Sequence, residues 1–187
     1  MTRRLARPSM RRVRRFGAAR SGFTLIELLI VVALVGLVAS IAIPGLIRAR
    51  TTGRETAAIA ALRAVNDAQA SYASVCGNGA YAVLFPTLAI GPRGSSTGFL
   101  SPDLSGSETP VKSGYQYALT AGAGGTPGQD DCNGTPTNTA YYVSAVSLSG
   151  AGTRGFATNQ ERGIWQDQSG AAPTEPFAVG PGVSQLP

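Results

Sequence analysis

Residues 22–45 read GFTLIELLIVVALVGLVASIAIPG, and this apolar stretch decides the fold. Between Phe23 and Ile43 the only polar residues are Thr24, Glu27 and Ser40. A helix of this length rises about 1.5 Å per residue and spans about 30 Å, the thickness of the hydrocarbon core of a bilayer. The stretch therefore predicts a membrane-spanning helix with a single carboxylate near its start.

The positive charge of the chain is concentrated ahead of this stretch. Residues 1–22 contain eight arginines and no acidic residue, and the rest of the chain has a net charge of −2. A basic segment before an apolar run is typical of a targeting signal. The positive-inside rule then places the N-terminus in the cytoplasm and everything after Pro44 on the outer side. Because no basic patch is expected after residue 22, we predict no stable nucleic-acid binding.

Glu27 makes an ordinary secretory signal a poor explanation. A carboxylate in hydrocarbon costs roughly 2.5 kcal/mol or more, and the apolar core of a cleaved signal has no use for one. Cleavage after Ala42 is the alternative, since residues 40–42 read SIA, a small-x-small site. The basic leader, however, is long for such a signal.

The stretch from Ser21 to Gly45 closely resembles the class III signal of type IV pilins and type II secretion pseudopilins. This resemblance implies that a prepilin peptidase cleaves between Gly22 and Phe23 and that the new N-terminal Phe23 is N-methylated. The leader is then removed, and the apolar helix stays with the mature protein. A residue without a Cβ, such as Gly22, lets a peptidase approach the peptide bond closely.

The same resemblance implies an α+β, pilin-like fold. A long N-terminal helix, with its N-terminal half in the membrane, would pack on a small antiparallel β-sheet. The implied partners are the membrane, the prepilin peptidase, an inner-membrane assembly platform, and other subunits in a homo-oligomeric or mixed pilin filament.

Two roles for Glu27 follow from its position. Thr24-x-x-Glu27 fits a capping box, in which the carboxylate accepts a hydrogen bond at the helix start. Cleavage would also create an α-amino cation on Phe23, with an unperturbed pKa of about 8. Glu27 could pair with this amine in its own chain or in a neighbouring subunit, which would relieve the cost of both charges in lipid. The residues alone leave these roles open, and the resemblance favours pairing in the assembly.

We expect one helix from Phe23 to about Ser74, with a break near Gly53 as an alternative. Gly36 and Pro44 are weak helix residues, and the resemblance implies a flexible stretch between them. A simple proline kink in a continuous helix is the alternative. The predicted regions are a basic leader (1–22), a transmembrane and assembly helix (23–44), an amphipathic helix (45–75), a globular head (76–168) and a poorly ordered Pro/Gly-rich tail (169–187).

The second half of the helix carries an apolar stripe with helical spacing, which we expect to pack on the sheet rather than to form a coiled-coil seam. The same pattern places Glu55 and Gln69 outside this stripe. The stripe itself consists of Ala58, Leu62, Val65, Ala68, Tyr72 and Val75. Alternating and β-branched residues predict strands at 114–120 and 140–148. A hairpin is predicted from the segments 153–159 and 162–168, which flank a short polar turn. A short helix or turn is expected around 86–90.

Cys76 and Cys132 are both predicted to lie outside the cytoplasm, where a disulfide is the straightforward expectation. Two unpaired thiols or a two-cysteine metal site are alternatives. Pilins of the resembled family usually close their disulfide nearer the chain end, so this placement departs from their pattern. The Gly-rich residues 120–134 lack the Lys-Ser/Thr of a phosphate-binding loop. Asp130 and Asp131 offer hard oxygen ligands for calcium, but we expect no cofactor and no metal.

The sequence contains no histidine, which removes the commonest general base. We therefore expect a structural protein and no enzyme. The predicted function is that of a structural subunit of a type IV pilus-like filament, resident in the bacterial inner membrane before assembly and at the cell surface afterwards. The alternatives are a type II secretion pseudopilin, a minor pilin acting in secretion, adhesion or DNA uptake, or a secreted or tip-displayed binding module.

Overall fold

A long helix and an antiparallel sheet dominate the computed structural model, which describes residues 22–187. The predicted leader lies outside the described residues except for Gly22. The α+β prediction is confirmed. The elements are α1 (Leu25–Val75), α2 (Phe85–Leu88), α3 (Pro102–Ser105), β1 (Val111–Lys112), β2 (Tyr115–Ala121), β3 (Tyr141–Ser147), β4 (Gly155–Asn159), β5 (Ile164–Asp167) and β6 (Val183–Gln185).

The chain divides into two units, one ending at Ile43 and the other comprising Pro44–Pro187. In the first unit the described residues are a short irregular segment, 22–24, followed by the first part of α1. The second unit contains the remainder of α1, both short helices and the whole sheet.

The six strands form one antiparallel meander in the order β1–β2–β3–β4–β5–β6. In β2 the side chains of Tyr115, Tyr117 and Leu119 are buried, whereas Gln116 and Thr120 are exposed. This alternation was predicted for 114–120, because successive side chains of a strand point to opposite faces. The predicted hairpin is also present, since β4 pairs with β5 and Thr158 lies opposite Ile164.

The core of the second unit lies between α1 and the sheet. Leu62, Val65 and Tyr72 of the helix are fully buried. They belong to one cluster with Tyr117 and Phe156 from the sheet. The predicted stripe therefore packs on the sheet, and residues of the two short helices α2 and α3 belong to the same cluster.

The stripe differs from its prediction at three positions. Glu55 and Gln69 are buried with 4% and 0% exposure, whereas Val75 is 58% exposed. Both polar residues lie at heptad distance from Leu62, so they share its helix face. Gln69 is accommodated there because its amide donates to the Ala82 carbonyl at 2.7 Å and accepts from the Ala82 amide at 3.0 Å.

Glu55 anchors α1 to the start of β4. Its Oε1 accepts hydrogen bonds from the Thr153 amide and hydroxyl, both at 3.0 Å, and its Oε2 accepts from Nε and Nη2 of Arg154 at 3.0 and 2.5 Å. Arg154 also donates from Nη1 to Gln166 on β5 at 2.6 Å. Burial opposes ionisation of Glu55, but the hydrogen bonds and the charge of Arg154 outweigh it and hold the pKa of this carboxyl below its ordinary value.

Glu55→Gln is expected to lower the free energy of unfolding by roughly 3 kcal/mol at neutral pH, since it leaves the half-buried Arg154 without its anion. The depressed pKa adds a pH dependence. Wild-type stability should fall as the pH drops from about 4.3, the ordinary pKa of glutamate, through the lower pKa of the folded carboxyl. In this range the unfolded chain takes up a proton that the folded chain still excludes. The variant should lack this part of the decrease in stability at low pH. Thermal unfolding of the full chain in nonionic detergent, followed by circular dichroism at several pH values, measures both effects.

Asp67→Asn is the matched control. It breaks the ion pair between Asp67 and Arg162, whose side chains are 71% and 55% exposed, and exposed pairs contribute at most about 1 kcal/mol. Equal losses of stability in the two variants would contradict the anchoring role of Glu55.

The C-terminal tail is ordered, so the prediction of a poorly ordered segment after Gln168 was wrong. Strand β6 pairs with β5, with Trp165 opposite Gln185. Ahead of β6, the carbonyl of Pro173 accepts a hydrogen bond from the Tyr142 hydroxyl at 2.6 Å. The Pro/Gly-rich composition indicated irregular backbone correctly, but the order of the segment comes from its contacts with distant strands.

Candidate functional site

The residues predicted to be processed lie at the start of the described chain. Gly22 and Phe23 precede α1 and are exposed, Phe23 at 69%. Thr24 and Glu27 form the predicted capping box. The Thr24 hydroxyl donates to Oε2 of Glu27 at 3.1 Å, and the Glu27 amide donates to the Thr24 hydroxyl at 3.2 Å. The structure therefore brings Thr24 and Glu27 together at the beginning of the helix.

This capping leaves Glu27 able to accept further hydrogen bonds. A carboxylate offers about four lone-pair positions, and the contacts with Thr24 among the described residues all use Oε2. The two roles considered for Glu27 are consequently compatible, because the carboxylate can cap its own helix and still meet a cation.

The first part of α1 has apolar side chains on every side, and none of the large ones is covered. The large apolar side chains from Phe23 to Ile43 are 49% to 81% exposed. An 18-residue window of α1 has a mean hydropathy of 2.8 and no buried residue, so the helix is long and apolar enough to cross a membrane. A helix that is apolar all round requires an apolar environment all round, from lipid or from other helices.

The helix continues through both predicted weak points. Pro44 lies inside α1, where it removes the amide that would bond to the Ser40 carbonyl. The Ser40 carbonyl thus lacks its usual helical donor, and the Ser40 hydroxyl separately donates to the Leu37 carbonyl at 2.7 Å. At Gly36, the other predicted weak point, the helix is also unbroken, and an added Cβ would meet no atom within 4 Å. In this single chain the stretch is helical, and its flexibility in a filament stays a prediction.

The predicted disulfide between Cys76 and Cys132 is present, with a Cα–Cα distance of 4.8 Å. It joins the residue after α1 to the connection between β2 and β3. The Cys132 amide also donates to the Cys76 carbonyl at 2.9 Å. The bond therefore ties the end of the helix to the longest segment between strands of the sheet.

Asp131, considered above as a calcium ligand, has a structural role that the sequence did not indicate. Its Oδ2 accepts a hydrogen bond from the Tyr72 hydroxyl at 2.8 Å, and its Oδ1 accepts from the amides of Asn133 and Thr135 at 2.8 and 2.7 Å. Burial, with the adjacent Asp131 carboxylate, raises the pKa of Tyr72. Within residues 22–187 no group of three or more potential metal-binding side chains comes together.

Comparisons with known proteins agree with the character of the N-terminal segment. A family model described as the prokaryotic N-terminal methylation motif matches residues 17–43. Over 63 residues the chain is 46% identical to the type IV major pilin protein PilA of Myxococcus xanthus (strain DK1622). This match covers 34% of the chain and 29% of that pilin, which is less than a third of the length of the relative. No solved structure matches the chain.

The chain is therefore similar to the methylation motif over residues 17–43 and to a type IV major pilin over 63 residues. Its fold joins a long N-terminal helix, apolar before Pro44, to a six-stranded antiparallel sheet.

Proposed function

We propose that this chain is a structural subunit of a type IV pilus-like filament. The observation that carries the proposal is the uncovered apolar surface of α1 before Pro44, with the carboxylate of Glu27 at its start. Type IV pilins are structural proteins and not enzymes, and the methylation motif at residues 17–43 supports the same role.

Before assembly, lipid covers the apolar surface. The chain then crosses the inner membrane once, with its arginine-rich N-terminus in the cytoplasm and residues after Pro44 on the outer side. The prepilin peptidase removes residues 1–22, and Phe23 becomes the methylated N-terminus. The exposed, irregular backbone at 22–24 suits an extended peptide in a protease site.

In the filament, the apolar helices of neighbouring subunits replace the lipid. The Phe23 ammonium of one subunit meets Glu27 of another, so that neither charge stays unpaired in an apolar surrounding. Any other axial stagger would leave both charges unpaired, and the pair therefore defines the register between subunits. The partners are other copies of the chain or other pilins, together with an inner-membrane assembly platform.

Mass spectrometry of the mature N-terminus tests the processing step. We expect the chain to begin at Phe23 and to carry one added methyl group. Gly22→Val should leave the leader attached, because a Cβ at this position prevents close approach to the scissile bond. Ser21→Val, one residue earlier, is the matched control and should be processed.

A mature N-terminus at Ile43 would contradict the proposal, since the apolar helix would then be discarded. Immunogold labelling of sheared surface filaments tests the assembly step, and we expect gold along the filaments. A processed chain that never labels filaments would contradict the filament role even if Phe23 is methylated.

A further inference from the structure

Two arginines follow directly after the apolar part of α1. Residues 28–47 contain no charged side chain, and this run ends with Leu46 and Ile47, which are 53% and 59% exposed. Arg48 and Arg50 come next, and both are exposed. An uncovered apolar surface therefore meets two uncovered positive charges within about one helical turn.

The charges of this pair have no partner in the described part of the chain. No salt bridge to Arg48 or Arg50 occurs within residues 22–187. The next carboxylate along α1 is Glu55, and both of its oxygens already accept hydrogen bonds from residues at the start of β4. Arg54, the third arginine of this stretch, donates a hydrogen bond to a backbone carbonyl between β3 and β4 at 3.3 Å. The uncompensated charge of this region thus lies on the first two arginines.

The position of the pair matches the headgroup layer of a bilayer. With the topology proposed above, the hydrocarbon core ends near Pro44. The headgroups thicken a bilayer from about 30 Å to about 40–45 Å, which gives a layer of roughly 5–8 Å on each side. At about 1.5 Å per residue of helix, Arg48 and Arg50 lie roughly 6 and 9 Å beyond Pro44, and their long side chains reach toward the bilayer surface. Both guanidinium groups therefore lie at the level of the outer lipid phosphates.

We propose that Arg48 and Arg50 bind the phosphate groups of phospholipids in the outer leaflet of the inner membrane. A guanidinium is planar and always charged, and it binds phosphate oxygens through two parallel hydrogen bonds. A phospholipid also offers apolar atoms to the neighbouring Leu46 and Ile47, whereas an acidic protein surface would place carboxylates against them. The inference rests on the proposed membrane span and extends it by naming the ligand of this segment.

Processing gives these two arginines a particular role. Removal of residues 1–22 takes away the eight arginines on the cytoplasmic side. The arginine nearest to the apolar run of the mature chain is then Arg48, on the outer side, where the positive-inside rule predicts few basic residues. Phosphate binding by Arg48 and Arg50 holds the processed helix at a fixed depth until it enters the filament.

Lipid selectivity in one monolayer tests this site. The full chain is reconstituted into phosphatidylcholine vesicles, and a trace of spin-labelled phosphatidylglycerol or phosphatidylcholine is added from outside, so that it enters only the outer monolayer. The motionally restricted fraction of the electron paramagnetic resonance spectrum measures the lipid in contact with the protein. We expect about a fivefold preference for phosphatidylglycerol, whose phosphate has no compensating choline, because one arginine near an anionic surface provides a factor of this size.

A pair of matched double variants locates the binding. Arg48→Gln combined with Arg50→Gln should abolish the preference. Arg63→Gln combined with Arg93→Gln removes the same charge from exposed residues farther along the chain and should retain it. A preference that survives in the first variant, or that falls equally in both, would overturn the site. A wild-type chain without any preference, whose copies cross-link less in the first variant, would overturn it in favour of an acidic surface on a second copy.

A topology measurement on the same vesicles separates this inference from the proposed function. Lys112 is the single lysine of the chain, with a side chain that is 37% exposed, and Ser9→Cys introduces a thiol into the leader. With membrane-impermeant amine and thiol reagents added outside, each spanning chain should be labelled at Lys112 or at the introduced thiol, and not at both. Chains labelled at both positions would contradict the membrane span and, with it, the inference. Exclusive labelling without lipid preference would overturn the lipid site alone.

Discussion

Glu27→Gln is expected to leave processing at Phe23 intact and to abolish filament formation. Glutamine can still serve in a capping box, so the contact with Thr24 seen in the structure is retained. The charge is lost, however, and the Phe23 ammonium of the neighbouring subunit stays unpaired in an apolar surrounding. A cost of roughly 2.5 kcal/mol for an unpaired charge weakens each contact between subunits on the order of 50-fold.

Thr24→Val provides the complementary control. It removes the hydroxyl that bonds to Glu27 but retains the charge of the carboxylate. We expect this variant to form filaments, with at most a modest loss, because an N-terminal cap contributes about 1 kcal/mol to a helix. Together the two variants separate the capping role of Glu27 from its role as an anion.

The measurement is the yield of sheared filaments at equal levels of processed subunit. Mass spectrometry of the membrane fraction verifies that Phe23 is the N-terminus in each variant. Normal filament yield from Glu27→Gln, combined with loss of filaments from Thr24→Val, would show that capping alone accounts for Glu27.

Cys132→Ser is expected to lower the free energy of unfolding by roughly 4 kcal/mol, the value that the chain-entropy model assigns to a loop of this length. Cys76 and Cys132 are separated by 56 positions in the sequence, so the disulfide removes considerable freedom from the unfolded chain. For a domain of this size the loss corresponds to a decrease in Tm of roughly 8–16 °C. Cys132 is half-buried, so the substitution does not place a polar residue in the fully buried core.

Thermal unfolding in nonionic detergent, with and without reductant, measures this effect. Reductant should lower the Tm of the wild-type chain to that of Cys132→Ser and should not change the variant. Identical midpoints for the oxidised wild type and the variant would contradict a stabilising role for the disulfide. The segment around Asp131 should open first when the bond is absent, because Tyr72 is then the main remaining contact of that carboxylate with the helix.

Several elements could be predicted because their signals are local. The apolar run of α1 is continuous in sequence, and the alternation in β2 and the turn between β4 and β5 each lie within a few residues. Strands β1 and β6 were not predicted, since strands of two and three residues carry too little alternation and exist through pairing with a neighbour. Strand β6 also lies in a Pro/Gly-rich segment, whose composition indicates loops.

The candidate site shows the same division. The capping box of Thr24 and Glu27 was predictable, because its residues are three positions apart on one helical turn. The burial of Glu55 was not, although its spacing from Leu62 places it on the core face of the helix. Its partner, Arg154, is 99 positions away, and no local pattern connects them.

The sequence by itself determined the long apolar helix, the position of its single carboxylate, the cleavage-site resemblance and the two cysteines available for a disulfide. These properties depend on hydropathy, short spacings and residue type, all of which are local. Only the tertiary structure decided that the C-terminal tail pairs with β5, that Asp131 binds Tyr72, and that Glu55 pairs with Arg154. Those arrangements depend on contacts between residues distant in the chain, which form only when the sheet brings them together.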